Sequence, residues 1–306
     1  MKKEEHSPKK MESLADAHRA FGLRKPQHPL VSLINGSYTQ VDETRMGHYH
    51  VLGFYKIAYK PKLKGKLKYG QSYYDFDEGG LLFASPGQIV GSHDNDVSAC
   101  SEYTLLIHPD FFLGYSLAKK VKQYGYFSYS TRETLHLSEE EKETIFEIFK
   151  MIEKELASRI DDFSQDVVIA QIDLLLNYAN RFYNRQFITR KAVNHDLLQK
   201  LEEVLDHYFN HEPSFRQGLP SVAYLADHVN LSPSYLSDML RSLIGQNAQQ
   251  YIHAKLIDKA KEKLSTTHLS VSEVAYALGF EHSQSFSKLF KSKTSLSPLE
   301  FRRSFN

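Results

Sequence analysis

Apolar residues change their spacing twice along the 306-residue chain. From about Leu30 to Pro109 they come in short runs, such as Val51–Ala58, Leu81–Ala84 and Tyr103–Ile107, broken by Gly, Pro, Asn and Asp. Runs of that length predict several strands in a small barrel or sandwich. The basic stretch Lys60–Lys68 among them reads as a solvated turn or edge. From Ser138 the period becomes helical. Ile145, Phe149, Ile152 and Leu156 share one face, and Ser138 with Glu141 makes a capping-box pattern. A second helix is expected over 166–183, with Val167, Ala170, Leu174, Leu175 and Tyr178 on its apolar side. A third, over 194–210, carries Leu197, Leu201, Leu205 and Tyr208. The first two helices either pack on the β domain or pair with a second copy of the chain. His211–Pro220, with two prolines and a glycine, marks a junction.

Beyond the junction one pattern occurs twice. Val222, Leu225, Ala226, Val229 and Leu231 recur as Val271, Val274, Ala275, Leu278 and Phe280, all 49 residues later. After one extra residue Leu236, Leu240 and Tyr251 recur as Phe286, Phe290 and Phe301, 50 residues later. Each copy reads as a helix, a tight turn and a second helix. The alanines stand where two helices must approach closely. Ser232 is placed to cap the second helix of the first copy, with Pro233 at its first position. Between the copies, Ile252, Leu256, Lys259, Ala260 and Leu264 are in register for one long helix. If that helix holds the two units about 34 Å apart, both second helices enter successive major grooves on one face of DNA.

Composition alters this picture little. About 41% hydrophobic and 25% charged residues exclude disordered and fibrous classes. No apolar run reaches the roughly 18 residues of a membrane span, and no apolar region follows the charged N-terminus as in a secretory signal. Cys100 is the single cysteine, which suits a reducing cytoplasm. The net charge is only +1, but residues 219–306 carry ten Lys and Arg against seven Asp and Glu.

The C-terminal part resembles the AraC/XylS family of transcription activators. The resemblance rests on Leu225-Ala226, Ser232–Leu236, Gly245, Tyr251-Ile252, Ala260, Leu264, Val274-Ala275, Leu278-Gly279-Phe280, Phe286, Phe290-Lys291, Pro298 and Phe301-Arg302. It covers about 85 residues, while the N-terminal part more loosely resembles the cupin-like sensor domain of that family. The resemblance implies double-stranded DNA as partner through its major groove, a small-molecule effector, a homodimer and RNA polymerase. Two positions depart from the family. Leu256 stands where an arginine is usual, and Ser295 where a glycine is usual, which predicts a slightly loosened second unit.

On the first reading helix Ser234, Tyr235, Ser237, Asp238 and Arg241 avoid the core positions. The resemblance assigns base reading to Ser234, Ser237 and Asp238, with Arg241 close to the backbone. Asp238 either accepts from cytosine or pairs with a nearby cation. On the second helix the exposed side is His282, Ser283, Gln284, Ser285, Ser287 and Lys288. Gln284 suits adenine and Lys288 suits guanine or phosphate, while Lys291 and Lys293 suit phosphate.

For the N-terminal part, His48 and His50 form an H-x-H, with Glu43 and His93 as further ligands on paper. The glutamate that metal cupins carry downstream is missing, so no metal, cofactor or catalytic group is assigned. The aromatic residues of 49–129 either line an effector pocket or form ordinary core. The expected class is α+β multidomain. It comprises a polar segment 1–25, a cupin-like β-barrel sensor 26–137, a dimerising helical region 138–210, a linker 211–220 and an all-α double helix-turn-helix 221–306. A metal-dependent cupin enzyme with a DNA-binding tail, and a regulator controlled by a protein partner without a small ligand, stand as alternatives.

Overall fold

The computed structural model describes residues 9–36, 50–60, 66–69, 72–75, 79–90, 101–130, 133–159, 161–189, 191–211 and 218–304. Packing divides the chain into two units, Met1–Gln186 and Phe187–Asn306.

The first unit runs β1 (Lys9–Met11), α1 (Leu14–Ala20), β2 (Val31–Asn35), β3 (His50–Leu52), β4 (Tyr55–Lys60), β5 (Lys66–Tyr69), β6 (Ser72–Asp75), β7 (Gly80–Ala84), β8 (Ile89–Val90) and β9 (Tyr103–Ile107). Then come α2 (Leu117–Lys120), β10 (Leu135–His136), α3 (Glu139–Ala157) and α4 (Ser164–Thr189). Its main sheet has the order β10-β7-β4-β9-β2, with a smaller sheet β1-β3-β8 and the pair β5-β6. Among the described residues these sheets do not close into a barrel.

Period-two alternation gives the main sheet two different faces. On one face Tyr103 stacks on Phe149 of α3 at 5.2 Å, the rings almost parallel, and Tyr59 meets the same ring at 6.2 Å. Glu153 of α3 accepts hydrogen bonds from Asn35 Nδ2 at 2.9 Å and from the Tyr103 hydroxyl at 3.0 Å. The opposite face, with Ala84 and Leu106, packs into a cluster of Met11, Leu14, Ala17, Leu52 and Phe54.

The expected capping box at Ser138 and Glu141 is present. Three expectations change. The run Val51–Ala58 is two strands, because the Gly53 N–H donates to the Met11 carbonyl at 2.7 Å. A side chain there would sit 2.9 Å from two backbone oxygens. The polar segment 1–25 contains β1 and α1, whose Met11 and Leu14 are core. Finally, α4 buries Val168, Ile169, Ile172, Leu175, Leu176, Ala179, Phe182 and Tyr183, whereas Val167 and Leu174 are exposed. Its face toward the core is therefore rotated from the expected one.

The second unit is all helical: α5 (Lys191–His211), α6 (Val222–His228), α7 (Pro233–Ile244), α8 (Ala248–Thr266), α9 (Val271–Ala277), α10 (Ser283–Thr294) and α11 (Pro298–Arg303). Tyr208 of α5 donates to the Gly218 carbonyl at 2.9 Å and meets the Tyr224 ring edge-on at 5.0 Å. Lys255 of α8 pairs with Glu202 of α5 at 2.5 Å. No described helix is long and apolar enough to cross a membrane.

Candidate nucleic-acid interface

Both copies of the repeat fold as the duplication requires. Ser221 caps α6 and Ser270 caps α9, each accepting from a backbone N–H three residues on. Ala226 and Ala275 are completely buried where each first helix meets its second. The turn after α6 holds Asn230 at φ 56°, and the matching turn after α9 holds Gly279 at φ 91°. Asn and Gly are the residues that tolerate this left-handed backbone best. Leu236 and Leu240 anchor α7, and Phe286 and Phe290 anchor α10, all fully buried. The second copy has replaced an aliphatic core with an aromatic one. Phe290 meets Phe286 at 5.7 Å and Phe301 at 5.4 Å.

The connecting helix α8 starts at the Asn247–Gln250 capping box and buries Ile252, Leu256, Ala260 and Leu264. Leu256, the departure from the usual arginine, is thus a core residue. At the far end of α8, Arg302 Nε donates to the Leu264 carbonyl at 3.2 Å.

Both reading helices end in a left-handed residue, Gly245 at φ 72° and Ser295 at φ 63°. The Ser295 N–H still closes the helix on the Lys291 carbonyl at 2.9 Å. Serine pays for that conformation where glycine does not. Ser295→Gly is therefore expected to stabilise the second unit by about 0.5–1 kcal/mol. Urea denaturation would check it, and a loss of stability would show that this turn is not strained.

Apart from Tyr235, Leu236, Met239, Leu240, Phe286 and Phe290, which are buried, the positions of the two second helices are half-buried or exposed. On α7, Ser234, Ser237 and Asp238 are half-buried and Arg241 is exposed. Tyr235 differs from expectation. Its ring is 2% exposed and packs edge-on against Phe187 at 5.1 Å, so it is a core residue and leaves the reading face. On α10, His282, Gln284, Ser285, Lys288, Lys291 and Lys293 are exposed, with Ser283 and Ser287 half-buried.

The two helices differ most in charge. Asp238 pairs with Arg241 at 2.6 Å, so the acid favours the ion-pair alternative of the two weighed for it. In the 50-residue register, Asp238 and Arg241 correspond to Lys288 and Lys291. The charge on α7 cancels, whereas α10 carries Lys288, Lys291 and Lys293 with no acidic residue. Lys293 also pushes the pKa of His253 on α8 down, after the larger effect of burial.

In the first unit, His50 is buried, while His48, His93, Glu43 and Cys100 lie outside the described residues. Among the described residues no group of three His, Cys, Asp or Glu is placed to hold a metal. Phe54, Tyr55, Tyr59 and Tyr103 are core residues.

Residues 225–304 match the family described as a helix-turn-helix domain. The arabinose operon regulatory protein of Salmonella typhimurium is 40% identical over 81 residues, 26% of this chain and 29% of that protein. The C-terminal module is a helix-turn-helix domain of the AraC type. The xylose operon regulatory protein of Haemophilus influenzae is 30% identical over 96 residues, 31% of this chain and 24% of that protein. This chain spans less than a third of the length of these curated relatives. Among solved structures, the C-terminal domain of the two-component response regulator yesN from Fusobacterium nucleatum is 30% identical. That alignment covers 33% of this chain and 96% of that domain, with a TM-score of 0.29.

Proposed function

We propose that the chain is a sequence-specific DNA-binding transcription regulator that inserts α7 and α10 into the major groove. The observation that carries this is the duplicated helix-turn-helix, whose buried anchors leave a polar side on each second helix. Ser234, Ser237, Asp238 and Arg241 serve the first half-site. His282, Ser283, Gln284, Ser285, Ser287 and Lys288 serve the second, and Lys291 and Lys293 hold phosphates.

The first unit is proposed as a cupin-like sensor that shifts the population of binding-competent molecules when it takes up a small effector. A homodimer fits the apolar stripe that α4 leaves uncovered. Phe163 just ahead of the helix, Val167, Ala170 and Leu174 are all exposed, spaced as a helix–helix contact requires. RNA polymerase as a further partner, and the cytoplasm as the site of action, belong to the same reading.

The test is selection of retained duplexes from a random DNA pool by the full chain. Enrichment of one sequence is expected, and a pool that stays random would end this reading. Within the enriched site, Gln284→Ala is expected to change preference by about 1–3 kcal/mol at one base pair. Identical profiles for variant and parent would remove Gln284 from the reading set.

A further inference from the structure

Phe83, Tyr126, Tyr129 and Tyr183 line a cleft in the first unit together with Glu133 and Thr134. Its empty volume is about 240 Å³, part of it open to solvent. Pockets for drug-sized ligands begin near roughly 300 Å³. The space therefore suits the head of a small molecule whose body leaves through the open side.

Separate elements supply the wall. Phe83 comes from β7, Tyr126 from the tight turn Gly125–Ser128, Tyr183 from α4, and Glu133 from the segment just ahead of β10. The rings brace one another. Tyr126 stacks on Tyr183 at 5.3 Å, Tyr129 meets Tyr183 edge-on at 5.2 Å, and Phe83 meets Tyr126 at 4.6 Å. Two of the hydroxyls are engaged by the backbone. Tyr126 donates to the Leu176 carbonyl at 3.1 Å, and Tyr183 donates to the Glu133 carbonyl at 3.2 Å. A phenol oxygen that has given up its donor still keeps its acceptor lone pairs.

Glu133 brings a carboxylate into this aromatic surround, and it is 2% exposed. Its Oε2 accepts from the Ser130 N–H at 2.7 Å. A glutamine oxygen could accept that bond equally well, so the bond fixes where the group stands without calling for its charge. The π faces of the rings attract cations, and a carboxylate attracts them more strongly where water is scarce. An anion would be repelled by both.

We propose that this cleft binds the ammonium head of a small organic cation, with the head held by the Glu133 carboxylate and the surrounding aromatic rings. This rests on reading the first unit as a sensor and names the chemical class it senses. Contacts of this kind in a desolvated site separate a cation from its neutral isostere by roughly tenfold or more in affinity.

The experiment is titration of the full chain with choline chloride, with neohexanol, in which carbon replaces the nitrogen, and with sodium tert-butylacetate. Ionic strength is held constant, and binding is followed by NMR of the ligand methyl protons. Choline is expected to bind at least about tenfold more tightly than neohexanol, and tert-butylacetate more weakly than either. Ring currents should move the N-methyl signal of bound choline upfield. Glu133→Gln keeps the Ser130 bond and should erase the difference between choline and neohexanol. Circular dichroism during urea unfolding shows whether that variant folds as the parent does. If it does not, the preference and the methyl shift of the parent chain decide alone.

Equal binding of choline and neohexanol, tert-butylacetate binding as tight as choline, an unmoved N-methyl signal, or full choline preference in folded Glu133→Gln would overturn the proposal. Failure of the choline arm with DNA selection intact leaves the regulator reading standing. Failure of DNA selection ends that reading, whatever the titration gives.

Discussion

Phe290→Ala is expected to cost about 3–5 kcal/mol and to abolish retention of the selected DNA. Phe290 is completely buried, and it ties α10 to α11. Its ring meets Phe286 within α10 and Phe301 of α11, while its carbonyl accepts from the Thr294 hydroxyl at 2.8 Å. Truncation removes the ring and leaves a void that the short helices around it cannot fill without moving α10. Its counterpart Leu240 is equally buried, and Leu240→Ala should cost about 2–5 kcal/mol while disabling the other half-site. The chain contains no tryptophan, so circular dichroism during urea unfolding is the suitable measurement. A cost under about 1 kcal/mol with DNA retention unchanged would show that the aromatic core does not hold α10 in place.

Replacing Lys288, Lys291 and Lys293 together by alanine should lower the slope of log affinity against log salt by about 2–3. At about 1 kcal/mol per exposed contact, affinity should fall on the order of a hundredfold at low salt. Asp238→Asn should act in the opposite direction. It removes a negative charge from the DNA-facing side and releases Arg241, whose surface pair with Asp238 is weak, worth roughly 0.3–0.5 kcal/mol. The slope is then expected to steepen by about one. Adding Arg241→Ala to Asp238→Asn should cancel that gain. Fluorescence anisotropy over a range of salt, with selected and scrambled duplexes, separates these outcomes. An unchanged slope in the triple-lysine variant would mean that α10 does not lie against phosphates.

Features that depend on near neighbours in sequence were legible before the fold was seen. Ser138 and Glu141 announce the start of α3 because a capping box spans only four residues. Ser295 could be assigned to a left-handed turn because its counterpart Gly245 marks the position. The duplication revealed the anchors of both units because the same packing problem is solved twice.

What escaped depends on distant partners. Tyr235 looks outward on its own helix, but Phe187, 48 residues upstream, packs against its buried ring. Val51–Ala58 reads as one strand until the Met11 backbone is seen crossing at Gly53. The apolar side of α4 was misplaced because both sides carry large apolar residues, and only packing on the sheet decides between them.

The hydrogen bond from Arg302 to the Leu264 carbonyl has a consequence for the order of events on the ribosome. Everything that α8 needs at its start precedes Leu264 in translation, but the group that closes its far end is made 38 residues later. The first helix-turn-helix can therefore settle while the chain is still being synthesised. The second cannot complete its packing until Phe301 and Arg302 have emerged. A pause in translation between the two copies would leave a nascent chain with one finished half-site reader and one unfinished.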